Sequence, residues 1–167
     1  EVVLEYRIVI DQSTSGTKAL LVKDSDETIK IIERVDKSHK QIYPEPGWVE
    51  HDPKEIFENV KELINKILQS SNLKKENISS LSIVNQRETI VIWDKETGEP
   101  IINALVWQCN RSAEICKSLI EDGFEEIIQD NTGLKIDNYF SGPKIKWVFD
   151  NYDVIEKSNI VIGTIDT

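Results

Sequence analysis

Apolar and polar residues change rhythm several times along the chain, and each change predicts an element. Tyr6 to Ile10 is β-rich and ends at Asp11, and Ser13-Thr14-Ser15-Gly16 then supplies turn chemistry with a glycine free to take positive φ. Thr17 to Val22 resumes as a strand, Asp24-Ser25-Asp26 turns again, and Thr28 to Val35 alternates apolar and polar. This pattern predicts an antiparallel meander of three strands. Residues 37 to 51 hold Pro44, Pro46 and Gly47 and read as a loop. Asp52-Pro53-Lys54-Glu55 then opens a helix: Asp52 can cap, Pro53 suits the first helical position, and Glu55 completes a capping-box pattern. Ile56, Phe57, Val60, Leu63, Ile64, Ile67 and Leu68 recur at helical spacing against a face of Glu58, Lys61, Glu62 and Lys66. An amphipathic helix of that kind must lie on a sheet.

The rhythm then returns to strands. Ile78 to Val84 reads as a buried strand ending at Asn85-Gln86-Arg87-Glu88, Thr89 to Trp93 as another before a turn at Thr97-Gly98, and Ile101 to Val106 as a third. Helical patterns follow over Arg111 to Ile120, Phe124 to Gln129 and Pro143 to Asp150, and Ile160 to Ile165 closes the chain as a strand. The order is that of an α/β protein. With 167 residues the chain fits one domain, 1–167, long enough to bury a core without staples. It lacks methionine even at position 1 and stops just after a strand, so it is expected to be a fragment of a longer protein.

Charge and cysteine usage narrow the functional classes. The formal net charge is −10 and the pI near 4.7. That balance argues against duplex nucleic acid and against adhesion to anionic membrane. No stretch approaches a membrane span, and Glu5 and Arg7 break the opening apolar run, so it is not a signal peptide. Cys109 and Cys116, seven apart, suit one helix face; two reduced thiols in a cytoplasmic protein are expected. His39 and His51 lie far from both, so no zinc spacing exists.

Four segments carry candidate chemistry. In Asp11-Gln12-Ser13-Thr14-Ser15-Gly16-Thr17-Lys18, small hydroxyl residues and a glycine let backbone N–H groups approach a phosphate. Asp11 can serve Mg²⁺, usually through water, and Lys18 can meet a phosphoryl oxygen. Taken alone the segment reads more readily as a solvated turn. Asn85-Gln86-Arg87-Glu88 follows an apolar strand, where ligands of open α/β folds gather, and Arg87 with Glu88 can donate to and accept from polyol hydroxyls or simply pair on the surface. Trp107 offers a plane for a carbon chain, or a core side chain. Tyr139 can place a phenol on a ligand hydroxyl, or be a buried tyrosine ahead of a helix capped by Ser141.

Together these segments resemble the N-terminal part of the glycerol kinases, within the FGGY family of carbohydrate kinases. The resemblance rests on Asp11-Gln12, Tyr43-Pro44 with Pro46-Gly47-Trp48-Val49-Glu50-His51-Asp52-Pro53, Asn85-Gln86-Arg87-Glu88-Thr89, Trp93 with Lys95-Glu96-Thr97-Gly98, and Val106-Trp107-Gln108-Cys109. It continues through Asn131-Thr132-Gly133-Leu134, Tyr139-Phe140-Ser141-Gly142 and Gly163-Thr164-Ile165-Asp166, covering nearly everything from Tyr6 onward. It implies a ribonuclease-H-like domain of the actin and hexokinase type, with a mixed sheet, the three-strand meander and flanking helices. It also implies transfer of the ATP γ-phosphate to glycerol, giving sn-glycerol 3-phosphate, with Mg²⁺ as cofactor.

Residue by residue, the resemblance assigns Arg87, Glu88 and Tyr139 to glycerol hydroxyls and Trp107 to its carbon backbone. Thr14 would meet the transferred phosphate with Ser15, Gly16 and Lys18 beside it, and Asp11 would serve Mg²⁺. Many family members have Gly-Thr-Thr-Ser and an arginine where this chain has Ser13-Thr14-Ser15-Gly16 and Lys18. A lysine cannot fork onto phosphate, so nucleotide-end contacts should be weaker. The family's catalytic aspartate and its C-terminal nucleotide domain are expected beyond Thr167, in a full-length protein that is cytoplasmic and homo-oligomeric. Competing expectations are another FGGY kinase acting on xylulose or a different polyol, and a non-catalytic polyol-binding or actin-like module.

Overall fold

The structure is a computed structural model that describes residues 5–25, 28–153 and 159–167. In chain order its elements are β1 (Glu5–Gln12), β2 (Gly16–Ser25), β3 (Thr28–Ser38), β4 (Glu50–His51), α1 (Pro53–Ser70), β5 (Ile78–Asn85), β6 (Ile90–Asp94), β7 (Ala104–Leu105), α2 (Ala113–Glu121), α3 (Glu125–Thr132), α4 (Ser141–Asn151) and β8 (Ile160–Thr164). The chain divides into two compact units: one holds residues up to Lys40, Asp52–Gln86 and Asp166, the other Gln41–His51, Arg87–Ile165 and Thr167.

The first unit is built on a sheet of order β3-β2-β1-β5. β1, β2 and β3 form the expected antiparallel meander, with Ile10 opposite Ala19 and Ala19 opposite Val35. β5 joins β1 in parallel, with Ile83 opposite Ile10, which makes the sheet mixed. Parallel neighbours need a long crossover, and α1 provides it. Its Leu63 and Ile67 pack against Ile8, Ile10, Ala19, Leu21 and Val35 to form the core. The second unit carries an antiparallel sheet of order β4-β7-β6-β8. Ile90, Ile92 and Leu105 from that sheet bury with Val148 of α4, and Ile145, Ile160 and Ile162 pack against them.

Several local expectations are corrected. Gly16 does not take positive φ; a Cβ there would lie 2.7 Å from the Lys37 carbonyl oxygen, so the glycine is required by the close approach of β3. Asp52 caps α1 as expected, accepting from the Lys54 N–H at 2.9 Å, but Glu55 does not close a capping box. Its carboxylate instead accepts from the Lys40 N–H. Phe57 falls off the buried stripe and is exposed under the Lys61 ammonium, while Asn59 is buried and donates to the Ser38 carbonyl.

β5 is a strand, yet Leu81, Ile83 and Val84 are 45–61% exposed, because it is the sheet's edge and α1 packs over β2 and β3. Between Ile101 and Val106 only Ala104–Leu105 pairs as a strand. Cys109 precedes α2 rather than sharing its face with Cys116, although both are buried and free. The expected turn at Asp24-Ser25-Asp26 lies partly outside the described residues, Asp26 being among those omitted.

Candidate functional site

The first unit presents the β1–β2 hairpin. Gln12 and Thr17 are paired, and the turn between them closes through Gly16, whose carbonyl accepts both the N–H and the hydroxyl of Ser13 at 2.8 and 2.9 Å. Behind it, buried Gln12 accepts from Gln86 Nε2 at 3.0 Å, and the Gln86 N–H bonds the Gln12 carbonyl at 2.7 Å. The tip of the hairpin is therefore anchored to the end of β5. Thr14 is half-buried and Ser15 exposed. Lys18 Nζ lies 3.1 Å from Asp11 Oδ2, so the hairpin's carboxylate and ammonium already pair, both partly exposed.

His39, too remote in sequence from the cysteines for a zinc site, belongs here. It is buried and hydrogen-bonds the backbone of Thr14. Burial lowers its pKa from the ordinary value, with Glu55 and the Thr14 bond acting the other way, so a neutral imidazole stands behind the hairpin at neutral pH.

In the second unit Glu88, Thr89, Trp107, Tyr139 and Ser141 form one connected group. Glu88 Oε2 accepts from both the N–H and the hydroxyl of Ser141 at 2.8 Å. Ser141 therefore opens α4 without capping it, since its hydroxyl is spent on Glu88, and Phe140 occupies the cap position. Oε1 of Glu88 has no protein partner among the described residues. Thr89 is buried and its hydroxyl accepts from the Trp107 N–H at 3.2 Å. The Trp107 and Tyr139 rings meet edge to face, with centroids 5.8 Å apart.

Glu88 also has a left-handed backbone, φ 62°. Such a conformation costs a non-glycine residue roughly 1–3 kcal/mol and persists where surrounding contacts impose it. Asn72, with φ 55°, follows α1 and belongs to a residue type that tolerates the region. Arg87 is exposed and has no protein partner among the described residues.

Nothing in the sequence marked Lys144. It lies in the first turn of α4, is fully buried, and donates to the carbonyls of Asn138, Tyr139 and Phe140 at 2.8, 2.5 and 3.1 Å. Burial lowers its pKa to about 8, against the opposing pull of Cys109, Glu88, Cys116 and Asp137. The same burial, with Asp137 beside it, raises the Cys116 thiol. These two shifts act oppositely on stability. Between about pH 8 and the ordinary 10.5 the unfolded chain holds a lysine proton that the folded chain has released, so stability rises with pH. Above the ordinary thiol value of 9.0 the unfolded chain loses a proton the folded chain keeps, and stability falls. Urea midpoints of the full-length protein should therefore rise from pH 8 to 9, and Lys144→Met should remove that rise. An unchanged slope in the variant would refute the assignment.

Comparison with known proteins decides the family. Residues 6–167 match the N-terminal domain of the FGGY family of carbohydrate kinases. The chain belongs to that family. Glycerol kinase 2 of Thermotoga maritima is 46% identical over 98% of the chain and 33% of its own length. Among solved structures, the Plasmodium falciparum glycerol kinase with ADP superimposes with a TM-score of 0.86 at 35% identity, over 98% of this chain and 33% of that one. The Lactobacillus acidophilus gluconate kinase does so at 0.82 and 25% identity, over 98% and 32%. The ribonuclease-H-like fold of the FGGY kinases is thus that of this chain, which spans about a third of the length of the curated relatives it matches.

Among the described residues no helix is long and apolar enough to cross a membrane, and no group of three or more His, Cys, Asp or Glu is placed to hold a metal ion.

Proposed function

We propose that this chain is the N-terminal portion of an ATP-dependent glycerol kinase. The observation that carries the reading is Glu88. Its backbone is strained, one carboxylate oxygen is fixed by Ser141, and the other is free to accept a ligand hydroxyl beside the Trp107–Tyr139 pair. A polyol needs that combination: an apolar plane for its carbons, a fixed acceptor, and a donor such as exposed Arg87. Identity of 46% to a glycerol kinase adds weight to glycerol among polyols.

In the proposed reaction the glycerol terminal oxygen forms a bond to the γ-phosphorus as the bond to ADP breaks. The hydroxyl proton passes to a base outside this chain. Arg87, Glu88 and Tyr139 hold the hydroxyls, Trp107 lies along the carbons, and Thr14, Ser15, Gly16 and Lys18 attend the phosphate. Asp11 is a single carboxylate half-committed to Lys18, which fits Mg²⁺ only in its usual manner, with most ligands being water and phosphate. When bound, the ion would neutralise charge on the phosphate oxygens. Catalysis of this kind is mostly positioning and charge stabilisation.

The test is ATP-dependent phosphorylation by the full-length protein offered glycerol, xylulose and gluconate. Glycerol should show the highest kcat/KM, and the 167-residue chain alone should show no turnover. A preference for xylulose would assign a different member of the family. Binding without phosphorylation would favour a recognition module, and robust activity of the short chain would refute an external base.

A further inference from the structure

Lys144 is the least expected side chain of the second unit. A cation in the first turn of a helix opposes the helix dipole, and full burial adds a desolvation cost. Helix stability therefore does not explain it. What it does instead is geometrically specific. The three hydrogens of its ammonium are all spent, on three consecutive carbonyls, those of Asn138, Tyr139 and Phe140.

These carbonyls belong to the segment that carries Tyr139 into α4. The other side of that segment is held by different groups: Asp137 accepts from the Tyr139 N–H at 2.9 Å, Asn138 donates to the Cys109 carbonyl at 3.3 Å, and Glu88 takes the Ser141 N–H and hydroxyl. Among these contacts only Lys144 reaches all three carbonyls at once. The charged and titratable groups around it are Glu88, Asp137, Cys109 and Cys116.

Resting on the polyol-kinase reading above, we propose that Lys144 is a positioning residue for the substrate: its ammonium clasps the Asn138–Phe140 carbonyls and so presets the Tyr139 ring against Trp107, ready to receive a polyol. A preset ring spares the binding step the cost of ordering a loop, so the benefit falls on substrate affinity. Lys144 touches no substrate; it acts through Tyr139. Arginine should not replace it, because a planar fork does not address three carbonyls converging on one point.

The test is a double-mutant cycle in the full-length kinase with Lys144→Met and Tyr139→Ala. Lys144→Met should raise the glycerol KM about tenfold or more, with the ATP KM and the kcat at saturating glycerol within about threefold of wild type. Lys144→Arg should fail to rescue it. In the Tyr139→Ala background the same lysine substitution should leave the glycerol KM unmoved.

A purely structural lysine would lower the active fraction, and so kcat, without moving the glycerol KM, and additive effects in the cycle would mean it does not act through Tyr139. Either result overturns the proposal. If Lys144→Met does not fold, the wild-type glycerol KM is followed from pH 7 to 10. It should rise as the ammonium is lost, and the rise should be absent in Tyr139→Ala; a flat wild-type profile overturns the proposal. Should the wild-type enzyme prefer another polyol, the cycle is run on that polyol. The glycerol assignment then fails while the clasp is still tested. Additivity with glycerol as the confirmed substrate fails the clasp alone.

Discussion

Replacing Glu88 with alanine in the full-length protein should lower kcat/KM for glycerol by about a hundredfold to a thousandfold. Two losses combine. The carboxylate oxygen left free by the protein can no longer accept a ligand hydroxyl, and Ser141 loses the acceptor of both its N–H and its hydroxyl. Hydrogen bonds to a charged group contribute about 1.5–3 kcal/mol each, and about 1.4 kcal/mol corresponds to a factor of ten. Ser141→Ala removes only the hydroxyl bond to Glu88 and should cost a few-fold. Glu88→Gly separates strain from chemistry: glycine accepts φ 62° freely, so stability should fall less than in Glu88→Ala while activity falls as far. Steady-state kinetics together with urea midpoints of the three variants check this. Activity of Glu88→Ala within threefold of wild type would remove Glu88 from the proposed polyol site.

Much of the scaffold around that glutamate was legible in the chain. The meander was readable because Ile8, Ile10, Ala19 and Leu21 alternate with less buried neighbours, and α1 because Asp52 and Pro53 mark its start and Ile56, Leu63 and Ile67 share a face. β5 was legible as a strand but not as an exposed one, since an apolar run reports that a strand can be buried on both faces rather than what covers it.

The candidate site was legible as segments, not as a network. Arg87, Glu88, Trp107 and Tyr139 stood out as residue types, and the structure adds what their spacing could not give. Glu88 spends one oxygen on Ser141, Thr89 holds the Trp107 backbone, and Trp107 meets Tyr139 edge to face. Lys144 was invisible because a lysine within Pro143-Lys144-Ile145-Lys146 reads as a solvated helix position. Only the convergence of three carbonyls reveals that Lys144 points inward while Lys146 pairs with Asp150 on the surface. His39 is illegible in the sequence for a similar reason: one of its partners is the backbone of Thr14, and a main-chain partner leaves no residue-type signature.

The largest loss of stability should come from Arg111, a residue with no role in the proposed chemistry. Its guanidinium is buried against two indoles that themselves meet edge to face, 4.1 Å from the Trp48 ring centroid and 4.9 Å from that of Trp147. Nη2 donates to Glu50 Oε1 at 2.6 Å, and Nε donates to Cys109 Sγ at 3.0 Å. The Arg111 side chain is 0% and that of Glu50 12% exposed, so water can replace little of the pairing, and Glu50 would keep only the bond from Asn103 Nδ2 to its other oxygen, at 2.8 Å.

Arg111→Ala should therefore destabilise the protein by about 3–5 kcal/mol, because removing one member of a buried pair strands the other's charge. Arg111→Lys should recover little, for a compact ammonium neither lies flat against an indole nor donates to Glu50 Oε1 and Cys109 Sγ at once. Arg111→Met combined with Glu50→Gln should recover most of the loss, because it removes both charges and keeps the apolar volume. Denaturant midpoints of these variants decide the matter; a loss below about 1 kcal/mol in Arg111→Ala, or full recovery in Arg111→Lys, would refute it. If the prediction holds, Trp48 and Glu50 of the Pro46-Gly47-Trp48-Val49-Glu50 stretch owe their identities to the packing of one arginine. That stretch would then mark the family through its architecture, and Glu88 with its neighbours through its chemistry.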